Sequence, residues 1–219
     1  MKLSKETISV LKTFATINSN LLITEGSNIS TVNVQKNVFA EANVTEEFPQ
    51  RFGIYDTNEF LGVMSLFSDP DIEFKEKYAV LKEPGSSIKY YAADESVLTV
   101  PSKKMKFPPA DITFALSAEA LGRISKAAAV IRANDISIVG DGSKLTVTVG
   151  DSKISTSNSF TIEIGETDST FTANIKIENL KLMQQDYEVS ISRKNIVRFS
   201  ANDGNFVVYV ALEATSSFQ

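Results

Sequence analysis

LSKETISVLKTFATI (Leu3 to Ile17) opens the chain, and a version of it returns as LSAEALGRISKAAAVI (Leu116 to Ile131). In the first stretch apolar residues recur at helical spacing and predict one buried stripe, formed by Leu3, Ile8, Leu11, Phe14 and Ala15. The polar residues that fall on the opposite face are Lys5, Ser9, Lys12 and Thr16. Both stretches are therefore predicted to form amphipathic helices.

The two stretches belong to a longer internal repeat. Leu3 and its neighbours match Leu116 and its neighbours at an offset of 113 positions. A further helix predicted at Thr57 to Phe67 matches a fourth one predicted at Lys176 to Gln184, at an offset of 119. Short strands rich in β-branched residues fill the rest of each half. We therefore predict an α+β protein of two similar domains, each of mainly antiparallel sheet with two helices.

A proline cluster separates the two halves. VPSKKMKFPPADI (Val100 to Ile112) contains three of the six prolines and lies at the middle of the chain. Proline-rich segments act as extended, semi-rigid spacers. We therefore expect an N-terminal domain at residues 1–100, an interdomain connector at 101–110 and a C-terminal domain at 111–219.

The composition excludes several classes of protein. The absence of Cys and His removes thiolate nucleophiles, Cys-ligated zinc and the commonest general base. No apolar run approaches the ~18 residues of a membrane span, and the first residues do not form a signal-peptide pattern, so we expect a cytoplasmic chain with no membrane partner. The formal net charge of -5 by itself argues against nucleic acid as a partner, but it does not say where the charges lie.

Spaced carboxylates supply the arrangement closest to an active site. Asp69, Asp71 and Glu73 alternate as a strand-borne metal site or acid/base pair would. Asp186 and Glu188 recur at the matching place in the second half, which favours a repeated helix-to-strand turn. We therefore predict no enzyme, no metal and no cofactor, with a carboxylate-dependent hydrolase as a competing hypothesis.

Basic residues recur on the polar faces of the predicted helices, where residues three, four or seven apart are neighbours. These residues are Lys5 and Lys12, then Arg123, Lys126 and Arg132, then Lys176 and Lys181. From the pattern alone, solvated helix faces are favoured over a binding surface.

Four segments closely resemble the DNA polymerase sliding clamp, or processivity factor, of T4-like bacteriophages. They are MKLSKETISVLKTFATINS (Met1 to Ser19), FAEANV (Phe39 to Val44), IYDTNEFLGVMSL (Ile54 to Leu66) and VVYVALEA (Val207 to Ala214). The resemblance implies a DNA-clamp fold in which three two-domain subunits close head to tail into a ring, with helices lining the hole. It also implies a non-enzymatic function.

The resemblance gives the basic helix faces a role. A ring that slides on double-stranded DNA should contact phosphates through Lys and Arg and avoid base edges, so binding should be independent of sequence. The residues expected to face DNA are Lys2, Lys5, Lys12, Arg123, Lys126, Arg132, Lys176 and Lys181. The helix Thr57 to Phe67 has Glu59 and no Lys or Arg, so it should contribute little.

The resemblance also implies two protein-binding surfaces. For the homotrimer we expect the strand Ile88 to Ala92 of one subunit to pair with Ile154 to Ile162 of the next, with contacts from Ile88, Tyr90, Ile154 and Phe160. Clamp partners insert short terminal peptides into an apolar pocket beneath the connector. The matching residues here are Leu98, Val100, Pro101, Met105, Phe107, Ala211 and Leu212.

The partners implied by this family are the replicative DNA polymerase, an ATP-dependent clamp loader, and a late-transcription sigma-like factor with its co-activator. A separate loader is expected because the chain has no ATP-binding motif. All of these partners belong to the cytoplasm of an infected bacterial host. A competing hypothesis is a virion structural β protein, whose basic helix faces would simply be solvated.

Overall fold

Helix α1 (Lys5–Ile17) begins where the N-terminal pattern predicts a helix. The Ser4 hydroxyl accepts a hydrogen bond from the Thr7 N–H at 3.1 Å, which satisfies one of the unpaired donors of the first turn. Its buried residues are Thr7, Val10, Leu11 and Phe14, whereas Leu3, Ile8 and Ala15 of the predicted stripe are half-buried. The exposed side carries Lys5, Ser9, Lys12 and Thr16, as predicted.

The computed structural model describes residues 1–151, 154 and 156–219, which divide into two compact units, Met1–Lys104 and Met105–Gln219. In the first unit, α1 is followed by β1 (Leu21–Ile23), β2 (Gly26–Val32), β3 (Val38–Phe48), β4 (Phe52–Ile54), α2 (Thr57–Met64), β5 (Asp71–Phe74), β6 (Tyr78–Glu83), β7 (Ser86–Tyr91) and a 3₁₀ turn (Glu95–Val97).

The strands of the first unit pair in three antiparallel groups among the described residues: β1 with β4, β2 with β3, and β5–β6–β7 in that order. One face of the last group is apolar, as Ile72, Ala79 and Leu81 are buried. Helix α1 packs against α2, β2 and β3. The core of this unit therefore lies between the apolar side of α1 and its strands.

The second unit also begins with a strand and a long helix. In chain order its elements are β8 (Ile112–Leu116), α3 (Ala118–Ile131), β9 (Asp135–Asp141), β10 (Lys144–Gly150), β11 (Phe160–Glu166), β12 (Thr170–Lys176), a 3₁₀ turn (Ile177–Asn179), β13 (Tyr187–Ser192), β14 (Ile196–Ala201), β15 (Phe206–Ala211) and β16 (Ser217–Phe218).

Two antiparallel sets of strands build this unit, in the orders β11–β10–β9–β12–β16 and β15–β14–β13–β8. Helix α3 packs against β10 and β11. Its buried residues are Leu121, Ile124 and Ala128, and Ser117 caps its first turn by accepting the Ala120 N–H at 3.2 Å. The α+β class with mainly antiparallel sheet is therefore confirmed.

The predicted fourth helix at Lys176 to Gln184 is wrong. Lys176 ends β12, and only Ile177–Asn179 form one 3₁₀ turn before an irregular segment leads to β13. Ser4, Asp56 and Ser117 cap the three α-helices of the described residues, whereas no side chain caps this turn. The Ile177 N–H instead donates to the Asn134 carbonyl at 3.0 Å, and a start without a capping side chain favours a long helix less.

The predicted connector has no regular structure. Residues 98–111 form neither helix nor strand, and the boundary between the two units falls within this segment, after Lys104. Most of its side chains between Ser102 and Lys106 are exposed. The segment that contains the proline cluster is therefore irregular.

Candidate nucleic-acid interface

Lys5 and Lys12 are exposed on α1, and neither forms an ion pair with a described residue. Lys2 precedes the helix, and its ammonium binds the Asp69 carboxylate. This hydrogen bond raises the pKa of Lys2, which therefore stays charged but paired. The basic charge of α1 that is available to another molecule thus comes first from Lys5 and Lys12.

Glu46 on β3 holds the first turn of α1. Its carboxylate accepts hydrogen bonds from the Ser4 N–H and the Thr7 hydroxyl, and from the Thr45 hydroxyl at 3.2 Å. Burial disfavours the ionised form of Glu46, but the hydrogen bonds from Thr7 and Ser4 outweigh it and hold its pKa below the ordinary value. An acid is also favourable at the positive end of a helix dipole. Glu46 therefore ties the N-terminus of α1 to the sheet.

Helix α3 presents a second basic face. Arg123 and Lys126 are exposed and form no ion pair among the described residues. The Arg123 guanidinium lies 5.9 Å from the centre of the Phe160 ring on β11, a cation–π contact that leaves its charge available. Arg132 follows the last turn in the left-handed conformation, with a φ of 53°, and is also exposed.

The N-terminus of α3 is closed by an acid from a distant segment, as that of α1 is. The Asp186 carboxylate accepts the Ala118 N–H at 2.7 Å. The Gln184 side-chain amide donates to the Ala118 carbonyl from the same segment. The recurrence of an acid before β13 therefore serves a turn that fixes a helix, which agrees with the structural interpretation of Asp186 in the sequence.

Lys176 and Lys181 do not lie on a helix face, so that part of their prediction is wrong. The Lys176 ammonium binds the carboxylate of Asp135, and the residue Asp135 is only 5% exposed. The hydrogen bond to Asp135 raises the pKa of Lys176. Removing this cation would take a positive charge from beside a buried carboxylate, which is costly. Lys181 is half-buried in the irregular segment after the 3₁₀ turn.

Helix α2 has an acidic start. The Asp56 side chain caps it by accepting the Asn58 N–H at 2.9 Å, and Glu59 lies in the first turn. No Lys or Arg lies on this helix. Helix α2 is therefore acidic, as the sequence predicts for a helix that makes little contact with phosphate.

The acids considered as an active site are paired with lysines or dispersed. Asp69 binds Lys2, and Glu73 forms ion pairs with Lys75 and Lys82. Asp71 is exposed on β5. Among the described residues no group of three acids is close enough together to hold a metal ion.

The segment Leu98 to Pro101, which leads into the connector, is held within the first unit. Leu98 follows the 3₁₀ turn, and a Cβ at Gly53 would come within 3.0 Å of a Leu98 methyl group. The Thr99 N–H donates to the Asn20 side chain at 2.9 Å, and its carbonyl accepts from the Asn18 side chain at 2.8 Å. Val100 and Pro101 are half-buried.

The second half of the connector packs within the second unit. The Phe107 ring lies 6.1 Å from the Tyr209 ring and 5.0 Å from the Arg198 guanidinium. Arg198 is itself fixed by hydrogen bonds to Glu188 at 3.1 Å and to Ser190 at 3.0 Å. Of the other residues proposed for the peptide pocket, Met105 is exposed, Ala211 half-buried and Leu212 buried.

The strands chosen for the subunit contact lie at sheet ends. β7 is an edge strand of the sheet β5–β6–β7, and β11 is an edge strand of the sheet β11–β10–β9–β12–β16. The Tyr90 side chain points into its own unit: its ring lies 5.2 Å from that of Phe60, and burial raises its pKa to about 12. Ile88 pairs with the buried Leu81 on the same face. Contact through β7 would therefore use its backbone edge more than these two side chains.

The partner strand begins later than predicted. β11 spans Phe160–Glu166, whereas Ile154 is exposed and outside any strand. Residues 152, 153 and 155 lie outside the described residues. The half-buried Phe160 remains at the start of the strand, under Arg123.

Three residues that organise the site, Glu46, Asn18 and Asn20, have no signal in the sequence strong enough to select them, and the repeat marks Asp186 only as part of a turn. Glu46 acts on Ser4, 42 positions away, and Asp186 acts on Ala118, 68 positions away. Asn18 and Asn20 reach Thr99 across 81 and 79 positions. Locally, Glu46 is one of several acids and the asparagines are ordinary helix terminators.

The chain is similar to a chain in the structure of A. fulgidus PCNA with the C-terminal region of FEN-1 bound, with a TM-score of 0.73 at 12% identity, covering 99% of this chain and 100% of that chain. It is also similar to the DNA polymerase III subunit beta of Pseudomonas aeruginosa, with a TM-score of 0.67 at 13% identity, covering 100% of this chain and 66% of that one. These likenesses show a DNA-clamp fold.

Sequence comparison is more specific. Residues 4–100 match the family model described as DNA polymerase processivity factor, and residues 113–214 match gp45 sliding clamp, C terminal. The chain is 34% identical to the sliding clamp of Vibrio phage KVP40, over 91% of this chain and 94% of the relative. It is 30% identical to that of Enterobacteria phage T4 over the whole of both chains. The chain therefore belongs to the sliding clamp family of DNA polymerase processivity factors, which are not enzymes.

Replacing Glu46 tests whether this carboxylate fixes α1. Because hydrogen bonds lower the folded-state pKa of Glu46, its stabilising contribution is present above the ordinary value of 4.5 and is lost as pH falls through the lowered pKa. Glu46→Gln should therefore unfold at lower urea concentration than the wild type at pH 7, and this difference should shrink as pH falls below about 4.5.

Glu47→Gln is the matched control, because Glu47 is an exposed neighbour on the same strand. It should follow the wild type across the pH range. A difference between Glu46→Gln and the wild type that does not change between pH 7 and pH 3 would contradict the assignment.

Proposed function

We propose that this chain encircles double-stranded DNA as a closed ring of three subunits and tethers the replicative DNA polymerase to it. The observation that carries the proposal is the recurrence of one arrangement in both units. Each long helix, α1 and α3, buries its apolar side and exposes basic residues on the other. The basic residues available on these faces are Lys5, Lys12, Arg123, Lys126 and Arg132, with Lys2, Lys176 and Lys181 as weaker candidates because they are paired or half-buried.

The chemistry of these faces suits sliding. Lys and Arg attract phosphates at every position along a duplex, so contact through them does not depend on sequence. The acids Glu73 on β5 and Glu163 on β11 form ion pairs with Lys75, Lys82 and Lys144, and not with the basic residues of α1 and α3. This separation of charge supports DNA as a partner of a chain whose net charge is -5.

A ring of identical subunits needs a head-to-tail interface that closes at a fixed rotation, here threefold. Sheet edges supply unpaired backbone donors and acceptors for such a contact. Our proposal keeps β7 of one subunit against β11 of the next, so that two sheets become continuous across the joint. Phe160 remains a candidate side-chain contact, together with Ile88, Tyr90 and Ile154 in supporting positions.

The ring would act on the polymerase through topology. A polymerase bound to an encircling protein rebinds its primer as an intramolecular event, at an effective concentration of order millimolar for a short flexible tether. Partners would insert short peptides at the connector, against Leu98, Val100, Pro101, Met105, Phe107, Ala211 and Leu212. The domain limits of 1–100 and 111–219, with the connector between them, belong to this proposal.

Family membership supports the remaining partners of this proposal. A separate ATP-dependent loader would open the ring, and a sigma-like factor with its co-activator would use the ring for late transcription. The site of action would be the cytoplasm of an infected bacterial cell. None of the helices in the described part of the chain is long and apolar enough to span a bilayer. A virion structural protein is the less favoured alternative, because both family models describe replication factors.

The oligomeric state can be measured directly. We expect light scattering to give the mass of three chains of 24.0 kDa at micromolar concentration. A single-chain species at that concentration would contradict the ring, because a heterologous interface that fails to hold three subunits cannot enclose DNA.

Charge reversal tests the DNA-facing side. Lys12→Glu combined with Arg123→Glu should reduce DNA-dependent stimulation of the polymerase by about tenfold. The reason is that six positive charges per trimer, which attract phosphate, become negative charges that repel the duplex. The circular dichroism spectrum should not change, since both side chains are exposed.

Lys77→Glu combined with Lys194→Glu is the control. It makes the same change of charge at two exposed turn positions, one in each unit. Equal loss of stimulation in both double variants would show a general effect of net charge and remove α1 and α3 from the proposed lining.

A further inference from the structure

The loop Asn18–Ser19–Asn20, which ends α1, contacts more than the helix. The Asn18 side-chain amide donates to the Val32 carbonyl and to the Thr99 carbonyl, both at 2.8 Å. Asn18 is only 8% exposed. The loop therefore fastens the end of α1 to β2 and to the start of the connector.

Thr99 is held on both of its backbone groups by this one loop. The Asn20 side-chain oxygen accepts the Thr99 N–H at 2.9 Å, while Asn18 donates to the Thr99 carbonyl. Thr99 lies in no strand, so its backbone groups have no ladder partner to satisfy them. Two side-chain amides thus set the position of a residue directly before Val100 and Pro101.

The same loop also fixes α2. The Ser19 carbonyl accepts both the N–H and the hydroxyl of Thr57, each at 2.8 Å. The Asn20 side-chain amide donates to the Tyr55 carbonyl at 2.7 Å. Two helices and the connector segment therefore meet at three consecutive residues of the first unit.

We propose that Asn18 and Asn20 are positioning residues for partner binding. They hold Thr99, and with it Val100 and Pro101, in the conformation that receives a partner's extended, apolar-ended peptide. This inference rests on the proposed function, in which that segment forms part of the peptide site. The inference adds Asn18 and Asn20 to the residues of the proposed peptide site. These two residues lie in the loop that ends α1, and their hydrogen bonds fix the position of Thr99.

The physical reason is preorganisation. A connector segment free to move must be ordered when a peptide binds, and that entropic cost weakens binding. Hydrogen bonds that fix Thr99 beforehand remove part of this cost. Loss of the Asn20 acceptor should therefore weaken peptide capture without changing any atom that touches the peptide.

The test measures binding of the replicative polymerase of the same phage to the full-length chain, with hydrogen exchange of the Thr99 amide. Asn20→Ala should weaken binding by about tenfold, which is about 1.4 kcal/mol, and should speed exchange at Thr99. Asn20→Asp keeps an oxygen for the Thr99 N–H, and its second oxygen faces the Tyr55 carbonyl at an exposed position where water can separate the two acceptors. It should restore slow exchange and bind within about threefold of the wild type.

Asn28→Ala is the control, because it removes an exposed side-chain hydrogen bond to Asn43 in the same unit. It should bind as the wild type does. Unchanged binding of Asn20→Ala, or equal weakening by Asn20→Asp, would overturn the positioning role while leaving the proposed function intact. A wild-type chain that does not bind the polymerase would overturn both.

Discussion

The packing of one side of α1 and α3 onto antiparallel strands is the contact on which the rest of the structure depends. Leu11 and Phe14 in α1, and Leu121 and Ile124 in α3, are buried against strands of their own units. A helix that buries one stripe must leave its other side to solvent or to a partner. In this chain that other side is basic in both units. The same packing of a helix on strands therefore occurs in each unit, and together the two exposed faces form the candidate DNA surface.

The ends of these helices are as constrained as their sides. Glu46 closes the first turn of α1 and Asp186 that of α3. Free helix N-termini bind phosphate through backbone N–H groups, which would hold a duplex at a fixed point. With protein carboxylates in place there, contact with phosphates falls to flexible Lys and Arg side chains, which suits a protein that must move along DNA. Asn18 fixes the C-terminal end of α1 and also donates a hydrogen bond to the Thr99 carbonyl, just before the connector.

Much of this could be predicted from sequence, and the failures have physical causes. The exposed polar sides of α1 and α3 follow from local patterns that depend on neighbours in the chain, although the buried side of α1 includes Thr7 and Val10 where the pattern predicts Ile8 and Ala15. The predicted fourth helix is wrong because the apolar spacing after Lys176 is not accompanied by a cap, and at the offset of 119 the cap Asp56 corresponds to Ile175. Strand edges, the late start of β11 and the pairing of Lys176 with Asp135 depend on contacts far apart in sequence. No local spacing encodes them.

The proposed ring holds DNA by enclosing it. The most direct measurement loads the protein onto closed circular DNA with its loader and ATP, and then cuts the circle once. Retention on the closed circle at a salt concentration that screens phosphate contacts, followed by loss on linearisation, is the predicted result. Equal retention on circular and linear DNA would contradict enclosure, because it would mean that the basic faces bind the duplex from one side.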